Sequence, residues 1–324
     1  MTRIDSPAGA PPASAHRAAV IGDPIAHSLS PVLHRAAYEG LGLADWSYEA
    51  LRVAPGELVG LVDALRATVG EEPAWAGLSV TMPHKQAIMP MLDVIDPLAQ
   101  AVGAVNTVVA QRSGAGPALL AGFNTDVAGI SGALREARDL PGAAAAEGLK
   151  LPAPTALVLG SGATACSALA ALPELGAHSI TVAARRHAGP GRALVAAHRM
   201  GLEIRTLTWR PGEPASDAIV AEAVARADLV VSTLPRGAAD TLAAPLARAH
   251  RVRGGARREA VLLDVVYAPW PTALARAWSG AGGAIAPGWL MLLHQAVAQV
   301  RLMTGRSPDT SAMRGALLSA LDTR

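Results

Sequence analysis

Thr155-Ala156-Leu157-Val158-Leu159-Gly160-Ser161-Gly162-Ala163-Thr164-Ala165 carries an apolar run into a G-x-G-x-x-A turn, and residues 166 to about 172 read as the helix that follows. Strand, tight glycine turn and helix N-terminus together form the context in which that pattern binds a dinucleotide. Gly160 permits the turn, and Gly162 lets backbone approach a pyrophosphate. Ser161, Ala163 and Thr164 surround the free N–H groups at the helix start, where an anion is favoured. This half of the chain is therefore expected to be α/β with a parallel sheet. Cys166 reads as a small core residue of the helix.

Downstream, residues 179–183 form the next expected strand. A site that prefers NAD places an acidic residue at the end of this strand, for the ribose 2′-hydroxyl. Here the chain has Ala184-Arg185-Arg186-His187. Two cations suit a 2′-phosphate, so NADP is the expected cofactor; a solvated arginine pair on a turn is the alternative. The alternation continues with strands at 203–207, 228–233 and 261–266, helices at 216–226 and 238–250, and a short strand at 283–286. Ligands of open α/β sheets bind beyond the carboxyl ends of the strands. Ser232, Thr233, Leu234 and Tyr267 are cleft candidates on that ground, and Val265 and Gly288 complete the cofactor set.

Upstream, residues 18–22 read as a first buried strand. The loop Asp23-Pro24-Ile25-Ala26-His27-Ser28-Leu29-Ser30-Pro31 then leads into a helix, with Pro31 in its first turn and Ser30 as its N-cap. Ser28 and Ser30, two residues apart, either face one ligand or serve as cap and solvated hydroxyl. Residues 46–53 read as a strand and 57–68 as a helix. Trp75-Ala76-Gly77-Leu78-Ser79-Val80-Thr81-Met82-Pro83-His84-Lys85 starts as a strand and breaks at Pro83, which opens a helix. Lys85 then lies in a first helical turn, where the macrodipole disfavours a cation. Such a lysine is either solvated or held there for acid–base work.

Residues 104–110 read as a strand with Asn106 and Thr107 in its middle, where buried polar groups need partners. Gly122-Phe123-Asn124-Thr125-Asp126-Val127-Ala128-Gly129 sets a polar triplet at the mouth of a helix over 127–138. The triplet caps that helix or faces a cleft, and Asp126 is the first candidate for chemistry. Residues 139–154 read as a linker. Two closing helices are expected at 288–303 and 311–321, with Gln295 and His294 as polar positions of the first; His294 reads as helix packing rather than as a ligand.

Composition narrows the function classes. The 324 residues allow two domains, and 51% hydrophobic residues with 17% charged exclude a disordered chain. The net charge of +2 is spread without a basic block, which argues against nucleic acid as a partner. A single cysteine excludes an internal disulfide, and no Cys/His spacing suits a metal. No apolar run approaches the ~20 residues of a membrane span. Residues 1–16 lack an apolar core and read as a disordered tail rather than a signal peptide. A cytoplasmic protein, monomeric or homodimeric, is expected.

The ordered runs PIAHSLSP, SVTMPHK, AVNT, GFNTD, LVLGSGATA, DVVYAPWPT and GWLMLLHQA resemble the shikimate dehydrogenase family, from about Val20 to about Arg306 and in an actinobacterial style. The resemblance implies a substrate domain at 17–126 and 288–324, and a Rossmann-like NADP domain at 127–287. The C-terminal helices would thus return to the first domain. It implies NADP-dependent reduction of 3-dehydroshikimate to shikimate, on the route to chorismate and the aromatic amino acids. Lys85 and Asp126 match the catalytic pair. Ser28 and Ser30 match the hydroxyls that hold the substrate carboxylate, with Tyr267 nearby. Thr81, Asn106 and Gln295 match groups that bond the ring hydroxyls.

Two departures stand out. Many members have Asn-Val-Thr where this chain has Ser79-Val80-Thr81, so one amide is missing. The family's Asn-Arg-Thr cofactor loop is Ala184-Arg185-Arg186. The alternatives are a quinate/shikimate or amino-shikimate dehydrogenase of the same fold, or a non-catalytic metabolite sensor. Intact Lys85 and Asp126 weigh against a sensor, which needs no proton donor.

Overall fold

The computed structural model describes residues 15–67, 74–114, 116–138, 153–257 and 259–323. The expected tail and the expected linker at 139–154 lie almost wholly outside these residues. Two six-stranded sheets organise the chain.

The first sheet collects β1 (His16–Gly22), β2 (Trp46–Arg52), β3 (Ala74–Val80), β4 (Val94–Ile95), β5 (Thr107–Gln111) and β6 (Leu119–Phe123) in the order β2-β1-β3-β5-β6-β4. β1 pairs in parallel with β2 and β3, whereas β5 runs antiparallel to both β3 and β6. Strand alternation divides the sheet into two faces. Ala19, Ile21, Leu78, Val80 and Val108 pack with Leu58, Val62 and Leu65 of α2 (Leu58–Arg66). Ser79 and Thr107, cross-strand partners, therefore point to the opposite face. Helices α1 (Ser30–Gly40), α3 (His84–Ala87) and α4 (Pro97–Val102) complete the strand-bearing part of this lobe.

α5 (Asp126–Arg138) leads out of it. The second sheet is wholly parallel, in the order β12-β11-β10-β7-β8-β9. Its strands are β7 (Thr155–Leu159), β8 (Ser179–Ala184), β9 (Ile204–Thr208), β10 (Leu229–Ser232), β11 (Val261–Asp264) and β12 (Ala284–Pro287). The helices between them are α6 (Ala163–Glu174), α7 (Ala193–Arg199), α8 (Pro214–Arg226), α9 (Ala243–Arg253) and α10 (Ala273–Ser279). Ala156 and Val158 of β7 pack in the core that includes α6, while Leu157 and Leu159 pack with α8 and α10. Cover on both faces is why the strand reads as a continuous apolar run. α11 (Gly288–Thr304) and α12 (Thr310–Asp322) then return to pack on α1.

Several local expectations need correction. Ser30 does not cap α1: it is the first helical residue, Leu29 holds the cap position, and Ser28 Oγ accepts from Ser30 N at 3.3 Å. The helix expected at 57–68 is a 3-10 turn (Pro55–Glu57) followed by α2, because Glu57 folds back onto the Ala54 N–H at 2.6 Å. β5 begins at Thr107 rather than 104, since the Asn106 side chain is committed to the 124–126 turn. The helix expected from 166 begins at Ala163, directly after the glycine turn. α4 was not foreseen, although Asp96 caps it onto Leu98 N and Ala99 N and Pro97 opens it. Two-residue β4, seven-residue α7 and seven-residue α10 carry too few positions for a periodic signal.

α5 and α11 cross closely where the lobes meet. A Cβ on Gly129 would lie 2.8 Å from Met291 O, so a larger residue there would push the helices apart. Glu136 of α5 ties the crossing together: Arg314 of α12 donates to both its oxygens at 2.7 and 2.8 Å, and His294 of α11 lies 3.0 Å away. His294 is thus packing, as its sequence position suggested. Other contacts span the seam, with Arg199 Nε donating to Ala101 O at 2.9 Å, Ser167 Oγ to Asn124 Oδ1 at 3.3 Å and Gln86 Nε2 to Gly191 O at 3.2 Å.

The hydrogen bonds from Arg314, foremost, hold Glu136 below its ordinary value of 4.5, against partial desolvation and with help from His294. A carboxylate whose folded pKa is depressed adds stability above its unfolded pKa and loses it as pH falls through the folded value. Glu136→Gln is therefore expected to lower Tm modestly at pH 7, because the side chain is 37% exposed and solvent screens the pair. The gap between wild type and variant should close as thermal melts are repeated at pH values below 4.5. A gap that stays constant down to strongly acid pH would show that the carboxylate charge contributes nothing.

Candidate active site

The end of β3 sets the first catalytic candidate. Val80 N donates to Asn106 O at 2.7 Å and Thr81 N to Ile21 O at 2.9 Å, which fixes the strand end. The chain then turns through Pro83 into α3, which His84 pins by a 2.7 Å bond between Nε2 and Val53 O. Val105 N donates to Lys85 O at 2.8 Å, so the backbone of Lys85 is held to the segment before β5.

The second candidate comes from the turn between β6 and α5. Asn124 Nδ2 donates to Ala104 O at 2.8 Å while its Oδ1 accepts from Asp126 N at 3.1 Å. Asp126 is therefore the first residue of α5, where the helix dipole favours a carboxylate. Its Oδ2 accepts a short charge-assisted bond from Lys85 Nζ. Its Oδ1 accepts from Asn106 Nδ2 at 2.8 Å. The side chains of Lys85 and Asp126 are 11% and 5% exposed, so the pair lies in a region of reduced dielectric where its field is strong.

This pair opens onto a cleft of about 750 Å³ between the lobes. Every substrate-site residue expected from the sequence lines it: Ser28, Ser30, Thr81, Lys85, Asn106, Asp126, Tyr267 and Gln295. Not all have free hydrogen-bonding capacity. Both Asn106 amide hydrogens are taken, by Thr125 Oγ1 at 2.9 Å and by Asp126, so Asn106 holds the pair as much as it faces the cleft. Gln295 Nε2 donates back to Leu292 O at 2.9 Å.

A second groove of about 1260 Å³ lies beyond the carboxyl ends of β7 and β10. These strands are adjacent, and the chain order reverses between them, which is the switch point where open α/β sheets bind ligands. Gly160, Ser161, Gly162, Ala184, Arg185, Arg186, Thr233 and Leu234 line this groove as expected. Gly160 has φ +109°, and a Cβ there would collide with Thr233 Oγ1, so glycine is required. The Ser161 hydroxyl accepts from Ala193 N at 3.0 Å, leaving its backbone to the groove.

The remaining cofactor candidates sit elsewhere. Thr164, Val265 and Gly288 line the cleft rather than the groove. Ala163 is the first residue of α6 and lines neither. Ser232 lines neither space: it is buried at the end of β10 and hydrogen-bonds the carboxylate of Asp264, its neighbour on β11. Asp264, pushed up by burial, also accepts from Thr272 Oγ1 at 2.7 Å and so anchors the loop that carries Tyr267.

Sequence reasoning missed three residues here. Arg192 joins Arg185 and Arg186 in the groove, and Trp209 forms part of its wall. Gln299 lines the cleft floor. It lies four residues after Gln295 on α11, the spacing that puts two side chains on one helix face. That spacing was the available signal. Arg192 follows a Gly-Pro-Gly turn and gave none. Among the described residues no cluster of His, Cys, Asp and Glu could hold a metal ion, and no helix is long and apolar enough to cross a membrane.

Comparison with known proteins agrees with this architecture. Residues 20–108 match the model of the shikimate dehydrogenase substrate binding domain, and residues 288–318 that of the shikimate 5'-dehydrogenase C-terminal domain. The shikimate dehydrogenase (NADP(+)) of Citrifermentans bemidjiense is 37% identical over 94% of this chain and 96% of its own. The crystal structure of Mycobacterium tuberculosis shikimate dehydrogenase superposes with a TM-score of 0.71 at 39% identity, covering 94% of this chain and 99% of that one. A Thermus thermophilus shikimate 5-dehydrogenase, solved with NADP(H) and shikimate, gives 0.68 at 33% identity with the same coverage. With its two-lobed α/β fold, its buried Lys85–Asp126 pair and relatives matched along nearly their whole length, this chain belongs to the shikimate dehydrogenase family.

Proposed function

We propose that the chain catalyses the reversible, NADP-dependent reduction of 3-dehydroshikimate to shikimate, a step toward chorismate and the aromatic amino acids. The observation that carries this reading is the buried Lys85–Asp126 ion pair lining the cleft, in a chain that also carries a dinucleotide groove. Residues 17–126 and 288–324 form the substrate domain and 127–287 the cofactor domain. The chain acts as a monomer or a homodimer. Its single cysteine suits a reducing compartment, and we assign the protein to the cytoplasm.

The groove suits NADP(H). The Gly160 turn leaves room that a Cβ would fill, α6 offers its free N–H groups, and Arg185, Arg186 and Arg192 offer cations for a 2′-phosphate. When bound, the cofactor would supply the hydride taken up at the C3 carbonyl carbon. Lys85 polarises the carbonyl oxygen and donates one ammonium proton to it as the π pair moves onto that oxygen. Asp126 keeps the ammonium aimed at the oxygen and accepts a bond from the neighbouring C4 hydroxyl. In the oxidative direction the neutral Lys85 amine takes the C3 hydroxyl proton. Ser28 and Ser30, with Tyr267, hold the ring carboxylate; Thr81 and Gln295 orient the hydroxyls, and Asn106, lining the same cleft, acts on them through Asp126.

The test is nicotinamide absorbance with purified protein and shikimate, quinate or amino-shikimate, each with NADP⁺ or NAD⁺. Fast reduction with shikimate and NADP⁺ is expected. Equal rates with quinate or with NAD⁺ would reassign the chain to the dual-specificity branch. No reduction in any combination, from folded protein, would point to a sensor.

A further inference from the structure

Gln299 is buried to 1% exposure, and all its hydrogen-bonding groups are engaged. Its Nε2 donates to Asn106 O at 3.3 Å and to Thr107 Oγ1 at 3.1 Å. A main-chain carbonyl can only accept, so this contact fixes which end of the amide is nitrogen. Gln299 Oε1 then accepts from Ser79 Oγ at 2.9 Å and faces His34 Nε2 at 3.2 Å. His34 is fully buried, stacked on Tyr48, and burial lowers its pKa to about 3, so it is neutral and carries its hydrogen on Nε2. Tyr48 Oη completes the far end by donating to Ser79 Oγ at 2.6 Å.

The direction of the next bonds follows. The Thr107 hydroxyl accepts from Gln299 and has one hydrogen to give, which goes to Asn106 Oδ1 at 2.8 Å. Asn106 Oδ1 also accepts from the Thr125 backbone N–H at 2.7 Å, so this bond and the one from Thr107 hold the Asn106 amide in the same orientation together. Its Nδ2 is thereby committed to Asp126 Oδ1 at 2.8 Å. His34, Gln299, Thr107 and Asn106 form one chain of donors that all point the same way, and it ends on the catalytic carboxylate.

We infer that Gln299 is a positioning residue for the Lys85–Asp126 pair: acting through Thr107 and Asn106, it keeps an amide donor on one Asp126 oxygen and so leaves the other for Lys85. The cross-strand register makes this possible, because it sets Ser79 and Thr107 side by side beneath α11, where one glutamine reaches both. Gln299 touches neither Lys85 nor Asp126, so its effect is indirect. The inference rests on the proposed roles of Lys85 and Asp126, and wild-type turnover tests those roles first.

The experiment compares Gln299→Met, Thr107→Val and the double variant with wild type, using shikimate and NADP⁺. Methionine keeps the length of glutamine but donates nothing, and valine keeps the shape of threonine without its hydroxyl. Each single variant is expected to lose about tenfold in kcat, roughly the equivalent of one net hydrogen bond. KM for NADP⁺ should stay unchanged. KM for shikimate should change much less than kcat, a split that a merely structural role would not produce. The double variant should be no worse than the worse single, since both cut one chain. If Gln299→Met does not fold, Thr107→Val carries the same test with a smaller change. Variants that melt at lower temperature but keep wild-type kcat would overturn the inference, as would additive losses in the double variant.

Discussion

Lys85→Ala is expected to lower kcat by ~10²–10⁴-fold, the usual effect of removing a well-placed general acid or base. KM for shikimate should change little, because Ser28, Ser30, Thr81 and Gln295 still line the cleft. The loss should be greater than that for any single hydroxyl contact, since no other lysine among the described residues lines the cleft and the cation acts in a shielded site. The variant leaves Asp126 buried beside Asn106 without its ion pair, so circular dichroism and a melt should accompany the kinetics. A folded Lys85→Ala protein with near-normal turnover would remove Lys85 as the proton donor.

The second large effect concerns the cofactor. Arg185, Arg186 and Arg192 line one groove, and among the described residues no carboxylate lines it with them. Replacing all three by alanine is expected to raise KM for NADP⁺ on the order of 10–10²-fold, as losing one or two charge-assisted hydrogen bonds would. The lower end allows for the exposure of Arg185 and Arg186, which solvent screens. KM for NAD⁺, which lacks the 2′-phosphate, should hardly move, and kcat with saturating NADP⁺ should stay within severalfold. Equal losses for both cofactors would mean that the arginines support the fold of the groove rather than read the phosphate.

Much of the site was legible in the sequence because its chemistry is carried by short contiguous runs. Ser79 to Lys85 and Asn124 to Asp126 each lie on one turn, and the structure brings Lys85 and Asp126 into direct contact. The glycine turn at 160–162 was equally readable, since only glycine tolerates the φ of Gly160 beside Thr233. What stayed hidden depends on tertiary placement. Ser232 looks like a ligand at a strand end, yet it hydrogen-bonds Asp264, its neighbour on β11. Gln299 and His34 look like polar residues on apolar helix faces, and only the crossing of α11 over β3 and β5 reveals their shared network. The loss of the family asparagine at Ser79 was visible, but not that the Ser79 hydroxyl bonds the Gln299 amide.

Hydride transfer at C3 of the ring is the central claim, and an isotope label tests it most directly. The protein would be incubated with 3-dehydroshikimate and NADPH deuterated at both C4 positions of the nicotinamide, and the product examined by mass spectrometry and proton NMR. The account predicts shikimate carrying one deuterium, located at C3, with none at other ring carbons. Shikimate without deuterium, or with the label at another carbon, would contradict it.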